Sequence, residues 1–363
     1  MQISKTQFKD FSRCARSSAL YDLYVNKLNN RTENDDEAKE LLHIMYDDVS
    51  GSDNLASHMS KIKQDSYTEV EELAAQFIEQ QFGFSIIHST RTSEQKVFSY
   101  QANQRTSYYA YLDGYLDTTE DVHIFEVKAT TAKKYITLTN NAKKLFVEKN
   151  GIWRIDQSAQ ALQTGKIEYR KLLNRYSDVG QYVYDLSFQR AVIERSNNLQ
   201  KEKRYHYYLV VLNSNFMFDG NKEHLLLPDE NGEHLFIIID MSVPTKDMLS
   251  TIYKDMEQTT TAILRNDIAR VPVGKFCELK GETACMFTEV CWNEYKKEGS
   301  ILDYTYATRG FKTETGEIVD FYDLINANKY KIDSIPEEWL TRKINQIQRK
   351  SYEEKALYVD KEK

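Results

Sequence analysis

Two periodicities divide the chain. Phe8, Phe11, Leu20, Leu23, Tyr24 and Leu28 recur at helical spacing over residues 4–28, and a second, shorter helical pattern covers 35–49. Over 65–85, Val70, Leu73, Ala74, Phe77 and Ile78 make one apolar helix face. Thr68 and Glu71 have the spacing of a capping box there, and Gly83 is the expected stop. The period then falls to two, so 96–101, 107–117 and 122–130 read as three strands joined by polar turns. Residues 131–178 read as a polar insertion with two helical stretches, and 181–197 as a helix. The nearly continuous apolar run within 205–213 suits a strand buried on both faces, as does 235–240. A long helix over 244–267, an irregular loop over 277–292 and two helices within 319–355 complete the chain. The order of helix, three strands, helix and strand predicts an α/β protein with a mixed sheet flanked by helices.

This pattern divides into an N-terminal helical segment (1–64), a core (65–243) with its insertion at 131–178, a helix and loop (244–300) and a helical tail (301–363). The 363 residues are 41% hydrophobic, enough for a sizeable core, which excludes wholesale disorder. No apolar run nears the roughly 18 residues of a membrane span. The start, Met1 to Lys5, lacks the apolar stretch of a secretory signal, so a cytoplasmic protein with no membrane partner is expected. A net charge of −7 argues against a protein coated in basic surface and leaves room for a local basic groove.

The sharpest chemical signal is Asp113 with Glu126 and Lys128. Glu126 and Lys128 are two apart on one strand, so they share a face. A turn at 118–121 pairs Asp117 with Val122, and the same register puts Asp113 opposite Glu126. Directly opposite residues have Cβ atoms about 4.5–5.5 Å apart. Two carboxylates at that range repel unless a cation lies between them, and hard oxygen ligands suit Mg²⁺ or Mn²⁺. Asp117 would lie roughly 13 Å further along, too far to share the ion. Such an ion lowers the pKa of its water and offsets charge on a phosphodiester, while Lys128 would orient water or neutralise developing charge. The bland alternative is a hairpin carrying a solvated ion pair, but a charged trio beside Ile124, Phe125 and Val127 costs free energy without a function.

The four cysteines are Cys14, Cys277, Cys285 and Cys291, with gaps of seven and five residues between the last three. Four thiolates fit Zn²⁺ or an iron–sulfur cluster. Neither gap is as short as in a typical zinc ribbon, and one remote ligand favours the larger cluster. The alternative is four unrelated core cysteines.

Together the two clusters resemble the iron–sulfur branch of the RecB-like PD-(D/E)xK nucleases, which includes AddB and the CRISPR adaptation nucleases. In that branch one cysteine precedes the nuclease core and three follow. The segment from Ser4 to Cys14 is similar to the family's N-terminal cysteine segment, and the five-residue gap from Cys285 to Cys291 matches. The gap from Cys277 to Cys285 is longer than the family's two residues. A closer resemblance is to uncharacterised bacterial proteins with such a nuclease-like half followed by a ribonuclease-H-like exonuclease domain. Its landmarks here are 208–213, Asp219-Gly220, Leu235-Phe236 and 336–339. The chain stops about where that second domain, or a protein partner in its place, would begin.

The resemblance implies a restriction-endonuclease-like fold and hydrolysis of DNA with Mg²⁺ or Mn²⁺. It implies a [4Fe–4S] cluster on Cys14, Cys277, Cys285 and Cys291, with Zn²⁺ as the alternative. It implies a metal held by Asp113, Glu126 and Val127, and catalysis by Asp113, Glu126 and Lys128. The family's glutamine in the helix after the lysine matches Gln189, one turn from Asp185. The family's helical histidine has no counterpart in 67–82, where Glu72 is the substitute.

Residues 129–178 hold ten Lys or Arg and four Asp or Glu, a net +6 within a chain of −7. Lys133, Lys134, Lys143, Lys144, Arg170, Lys171 and Arg175 are candidates to face a phosphate backbone, and Tyr135, Trp153 and Tyr169 to stack bases. Two solvated helices are the alternative reading of this segment. For the whole chain three readings stay open. The first is a metal-dependent DNA nuclease acting on single strands or free ends. The second is a non-catalytic nucleic-acid-binding module that keeps the fold and the cluster. The third is a zinc-stapled protein with a structural Glu-x-Lys trio.

Overall fold

A computed structural model describes residues 1–23, 54–89, 94–140, 143–265, 273, 274, 277, 285, 287–293 and 295–355. The pattern over 35–49 and the end of the first helical stretch lie outside these residues. The chain divides into two units, one of residues 1–18 and 53–266, the other of 19–52 and 267–363.

The first unit is built on a six-stranded mixed sheet. Its centre pairs β5 (Asp121–Thr131) with β10 (Arg204–Leu212) in parallel, from Asp121 opposite Arg204 to Lys128 opposite Val211. These two strands carry the longest apolar runs, as a doubly covered pair requires. β4 (Gly114–Asp117) runs antiparallel to β5 on one side. On the other side β11 (Phe236–Asp240) runs antiparallel to β10.

A second, three-stranded sheet holds β1 (Gln2–Ile3), β2 (Val97–Gln101) and β3 (Ser107–Tyr111). The run 107–117, which alternation presents as one strand, is therefore two strands in two sheets, with Leu112 and Asp113 at the break. Gly114 sits hard against β5 there: a Cβ would meet the Phe125 side chain at 3.2 Å. The turn after β4 is closed by the Thr118 N–H donating to the Asp121 carbonyl, and Asp117 faces Val122. This is the register expected from the sequence.

Helices cover both faces of the six-stranded sheet. α3 (Asn54–Phe82) lays Ala74, Phe77 and Ile78 against Phe125, Val127, Tyr208, Val210, Phe236 and Ile238. It starts well before Thr68, so Thr68 and Glu71 lie inside the helix and form no capping box. Gly83, at φ +71°, ends it by donating its N–H to the Glu79 carbonyl.

Most of the insertion is strand and short helix. α4 (Lys133–Ile136) leads to a small hairpin of β6 (Thr139–Asn140) and β7 (Lys143–Lys144). β8 (Phe146–Lys149) and β9 (Ile152–Ile155) then extend the six-stranded sheet, β9 lying parallel to β11. Asn150 and Gly151 between them both have positive φ, as a two-residue hairpin turn demands. Gly151 has φ +77°, and a Cβ there would lie 2.6 Å from Gln81 Oε1. Gly151→Ala is therefore expected to lower stability by about 1–2 kcal/mol, read as a reduced urea midpoint with unchanged slope. α5 (Gln157–Gln160) and α6 (Gln163–Leu172) finish the insertion.

α7 (Gly180–Arg195) and α8 (Ser242–Arg265) pack on the remaining face. Met248, Ile252, Met256 and Ile263 of α8 are buried, and the Met256 carbonyl accepts a hydrogen bond from Tyr108 of β3. That helix thus belongs to the first unit, not with the cysteine loop. α1 (Lys5–Arg13) is capped by Ser4 and Gln7, which bond each other's backbone N–H reciprocally. Its fully buried Phe8 stacks on Phe188 at 4.6 Å and on Tyr184 at 5.8 Å, both from α7. Cys14 interrupts the expected single helix with extended backbone, and α2 (Ala15–Tyr21) follows.

The second unit has a core of its own: Trp292, Tyr304, Phe311, Phe321, Ile325, Ile332, Ile335 and Leu340 are buried together. It contains α9 (Thr288–Trp292), the hairpin of β12 (Phe311–Lys312) and β13 (Ile318–Val319), α10 (Phe321–Asn326) and α11 (Lys343–Glu353). Among the described residues no helix is long and apolar enough to cross a membrane.

Candidate active site

Glu126 is the centre of the site. It lies on β5 with 0% of its surface exposed, and it keeps its charge because three donors meet it. Lys128 Nζ and Lys5 Nζ are each 2.5 Å from Glu126 Oε1, and Gln189 Nε2 donates to Oε2. Burial pushes the Glu126 carboxyl up, but the two ammonium groups outweigh it and hold its pKa at about 2. Burial alone would favour neutral Lys128. Glu126, Asp113 and Asp185 reverse this and hold it firmly protonated.

Asp113 falls at the break between β3 and β4, the next position along the register from the Gly114–Phe125 pair, and so opposite Glu126. Its Oδ2 accepts the Val127 N–H at 3.0 Å. Burial and the nearby Glu126 charge both push its pKa up, against Lys5, Lys128 and the Val127 N–H. Asp117 is remote from this pair; it is exposed and bonded to Lys203 and Gln200.

α7 presents Asp185 and Gln189 one turn apart, both buried. Asp185 Oδ2 is met by Lys9 Nζ at 3.1 Å. Among the described residues, Asp185 Oδ1 and Gln189 Oε1 are buried with no hydrogen-bond partner. Glu72 on α3 is exposed, whereas Glu71, one position earlier and so about 100° around the helix, interacts electrostatically with Asp113, Lys128 and Glu126. Burial and then Asp113 raise the Glu71 pKa. Glu71, Val127 and Lys128, with Val70, Ala129 and Tyr182, line a cavity of about 310 Å³ at the end of β5.

The sequence reading gives Lys5 and Lys9 no role at the site, and Glu71 only that of a helix-capping residue. The signal for the lysines is weak but present: Lys5 and Lys9 are four apart on one stripe with Phe8.

Hard oxygen donors and repelling carboxylates fit a divalent cation at Asp113 and Glu126, and the unpartnered oxygens of Asp185 and Gln189 leave further polar capacity beside them. Among the described residues, no three His, Cys, Asp or Glu side chains are gathered as a metal centre. None of the four cysteines is in a disulfide. Cys14 lies in the first unit and the other three in the second. There the Thr288 hydroxyl donates at 2.7 Å to the Cys285 carbonyl and approaches the Cys277 carbonyl at 3.4 Å, and Cys291 is on α9.

Of the basic residues, Lys133, Lys143, Lys144, Arg170 and Lys171 are exposed, and Lys134 is half-buried with its Nζ 4.4 Å from the Tyr182 ring centroid. Arg175 is turned inward to Asp255, so it is not a backbone contact. Tyr135 is buried and donates to the Val179 carbonyl, and Tyr169 is buried and donates to Asp247. Neither ring is free to stack a base. Trp153 is half-buried on β9.

No family model, curated protein or solved structure matches the chain.

Proposed function

We propose that the protein is a divalent-metal-dependent nuclease that hydrolyses DNA phosphodiester bonds on a restriction-endonuclease-like core. One observation carries this reading: a charged, fully buried Glu126 is held by Lys128, Lys5 and Gln189, opposite Asp113, beside a cavity of about 310 Å³. Such a cluster costs free energy in a core and repays it through chemistry.

Asp113, Glu126 and Val127 would hold Mg²⁺ or Mn²⁺, which when bound activates water and offsets phosphate charge. Lys128 supplies a permanent positive charge to the cavity, where charge develops on the phosphate. Gln189 fixes the orientation of Glu126 through its amide N–H. Glu71, with its raised pKa, is the carboxyl suited to exchange a proton inside the cavity. Lys133, Lys134, Lys143, Lys144, Arg170 and Lys171 would carry the strand, one with a free end or single-stranded, by sequence-independent attraction. Cys14, Cys277, Cys285 and Cys291 are proposed to hold a [4Fe–4S] cluster or Zn²⁺, and iron, sulfide and zinc analysis of the purified protein tests this.

Labelled single- and double-stranded DNA should be shortened with Mn²⁺ or Mg²⁺ and left intact in EDTA. Absence of cleavage with both metals would overturn the nuclease reading and leave a nucleic-acid-binding module in its place.

A further inference from the structure

Four acidic groups meet three basic ones at the site: Asp113, Glu126, Asp185 and Glu71 against Lys5, Lys9 and Lys128. Without a metal their formal charges sum to −1. A divalent cation at Asp113 and Glu126 would turn this into an excess of one positive charge where screening is weak, on a carboxylate that already holds two ammonium groups. Release of one ammonium relieves that excess.

The three lysines are not equally able to do so. Lys128 is fixed on a central strand two residues from Glu126, and Lys9 is occupied by Asp185. Lys5 is the first residue of α1, not on the sheet, and its four-carbon stem alone brings it to Glu126. It shares Oε1 with Lys128, so two like charges crowd one oxygen. Withdrawing Lys5 relieves that crowding and leaves α1 in place, because Phe8 anchors the helix.

Resting on the nuclease reading above, we propose that Lys5 is a stand-in cation: it holds Glu126 in the metal-free protein, is displaced by the divalent metal, and thereby sets the site's metal affinity. It is a positioning residue for Glu126. Its stem allows the released ammonium to meet a phosphate oxygen instead.

Mn²⁺ titration by calorimetry and by electron paramagnetic resonance tests the inference without any turnover. Lys5→Met should bind Mn²⁺ about ten-fold tighter than wild type, within the usual range of a coupling between two sites. In EDTA it should melt below wild type, since Glu126 has lost a partner, and saturating Mn²⁺ should close that gap. Lys5→Arg keeps the charge and should restore both wild-type values. Lys5→Gln, with a neutral polar end, gives the same reading as Lys5→Met if the latter folds poorly. Mn²⁺ affinity no tighter in the neutral variants, or a melting deficit that persists at saturating Mn²⁺, would mark Lys5 as an ordinary structural pair and sink the inference. A wild-type protein that binds Mn²⁺ no better than Glu126→Gln would instead sink the nuclease reading together with it.

Discussion

Lys128→Ala should lower Mn²⁺-dependent DNA cleavage by about 10³-fold and leave DNA affinity within about two-fold of wild type. Removing a single preorganised charge that acts on the transition state costs on the order of 10²–10³ in turnover. Affinity comes from many contacts along the basic insertion, so one half-buried lysine contributes little to it. The substitution is tolerable for folding because Lys5 remains on Glu126. Single-turnover cleavage and fluorescence anisotropy separate the two quantities. Equal losses in both would mean that Lys128 is a binding residue. Reversing the charge of Lys143 and Lys144 should do the converse, weakening binding and flattening its dependence on salt.

Glu126→Gln should abolish cleavage by another route, through loss of the metal, so Mn²⁺ affinity falls where Lys128→Ala leaves it unweakened. It should also cost about 3 kcal/mol of stability at pH 7, since two half-buried ammonium groups lose their counter-charge. The sign of the pH dependence follows from the depressed pKa. Glu126 titrates at about 2 in the folded chain against the ordinary 4.5, so its contribution is full above pH 4.5 and is lost as pH falls toward 2. The stability difference between wild type and Glu126→Gln should therefore shrink across that window. A difference that stays constant from pH 5 to pH 2 would show that Glu126 is not charged in the fold.

The site was legible where local geometry decides it. The 118–121 turn fixes the register of β4 on β5, and one short hairpin is enough to place Asp113 against Glu126. Gln189 came from the resemblance alone and lies on Glu126. Legibility failed where distant packing decides. Alternation cannot reveal that 107–117 changes sheet at Leu112 and Asp113, because both halves keep the same period. Glu71 and Glu72 look alike in a helix whose start lies far upstream, and only the docking of α3 chooses between them. The β8–β9 hairpin did carry a signal, Asn150-Gly151 between apolar-bearing runs, but the surrounding basic residues gave the segment the look of solvated helix. Lys5 and Lys9 are separated from their partners by 121 and 176 residues, beyond any local pattern.

Those separations have a kinetic consequence. The central β5–β10 pair is parallel and joins strands about 80 residues apart, so its loop must close before Glu126 gains its neighbours. Until then every charged group of the cluster remains hydrated, and a nascent chain that has not reached α7 lacks Gln189 and Asp185 altogether. Desolvation of Glu126 thus belongs to a late step of folding. Its replacement should speed unfolding far more than it slows refolding, which places the cluster among the interactions that determine how long the native chain survives once formed.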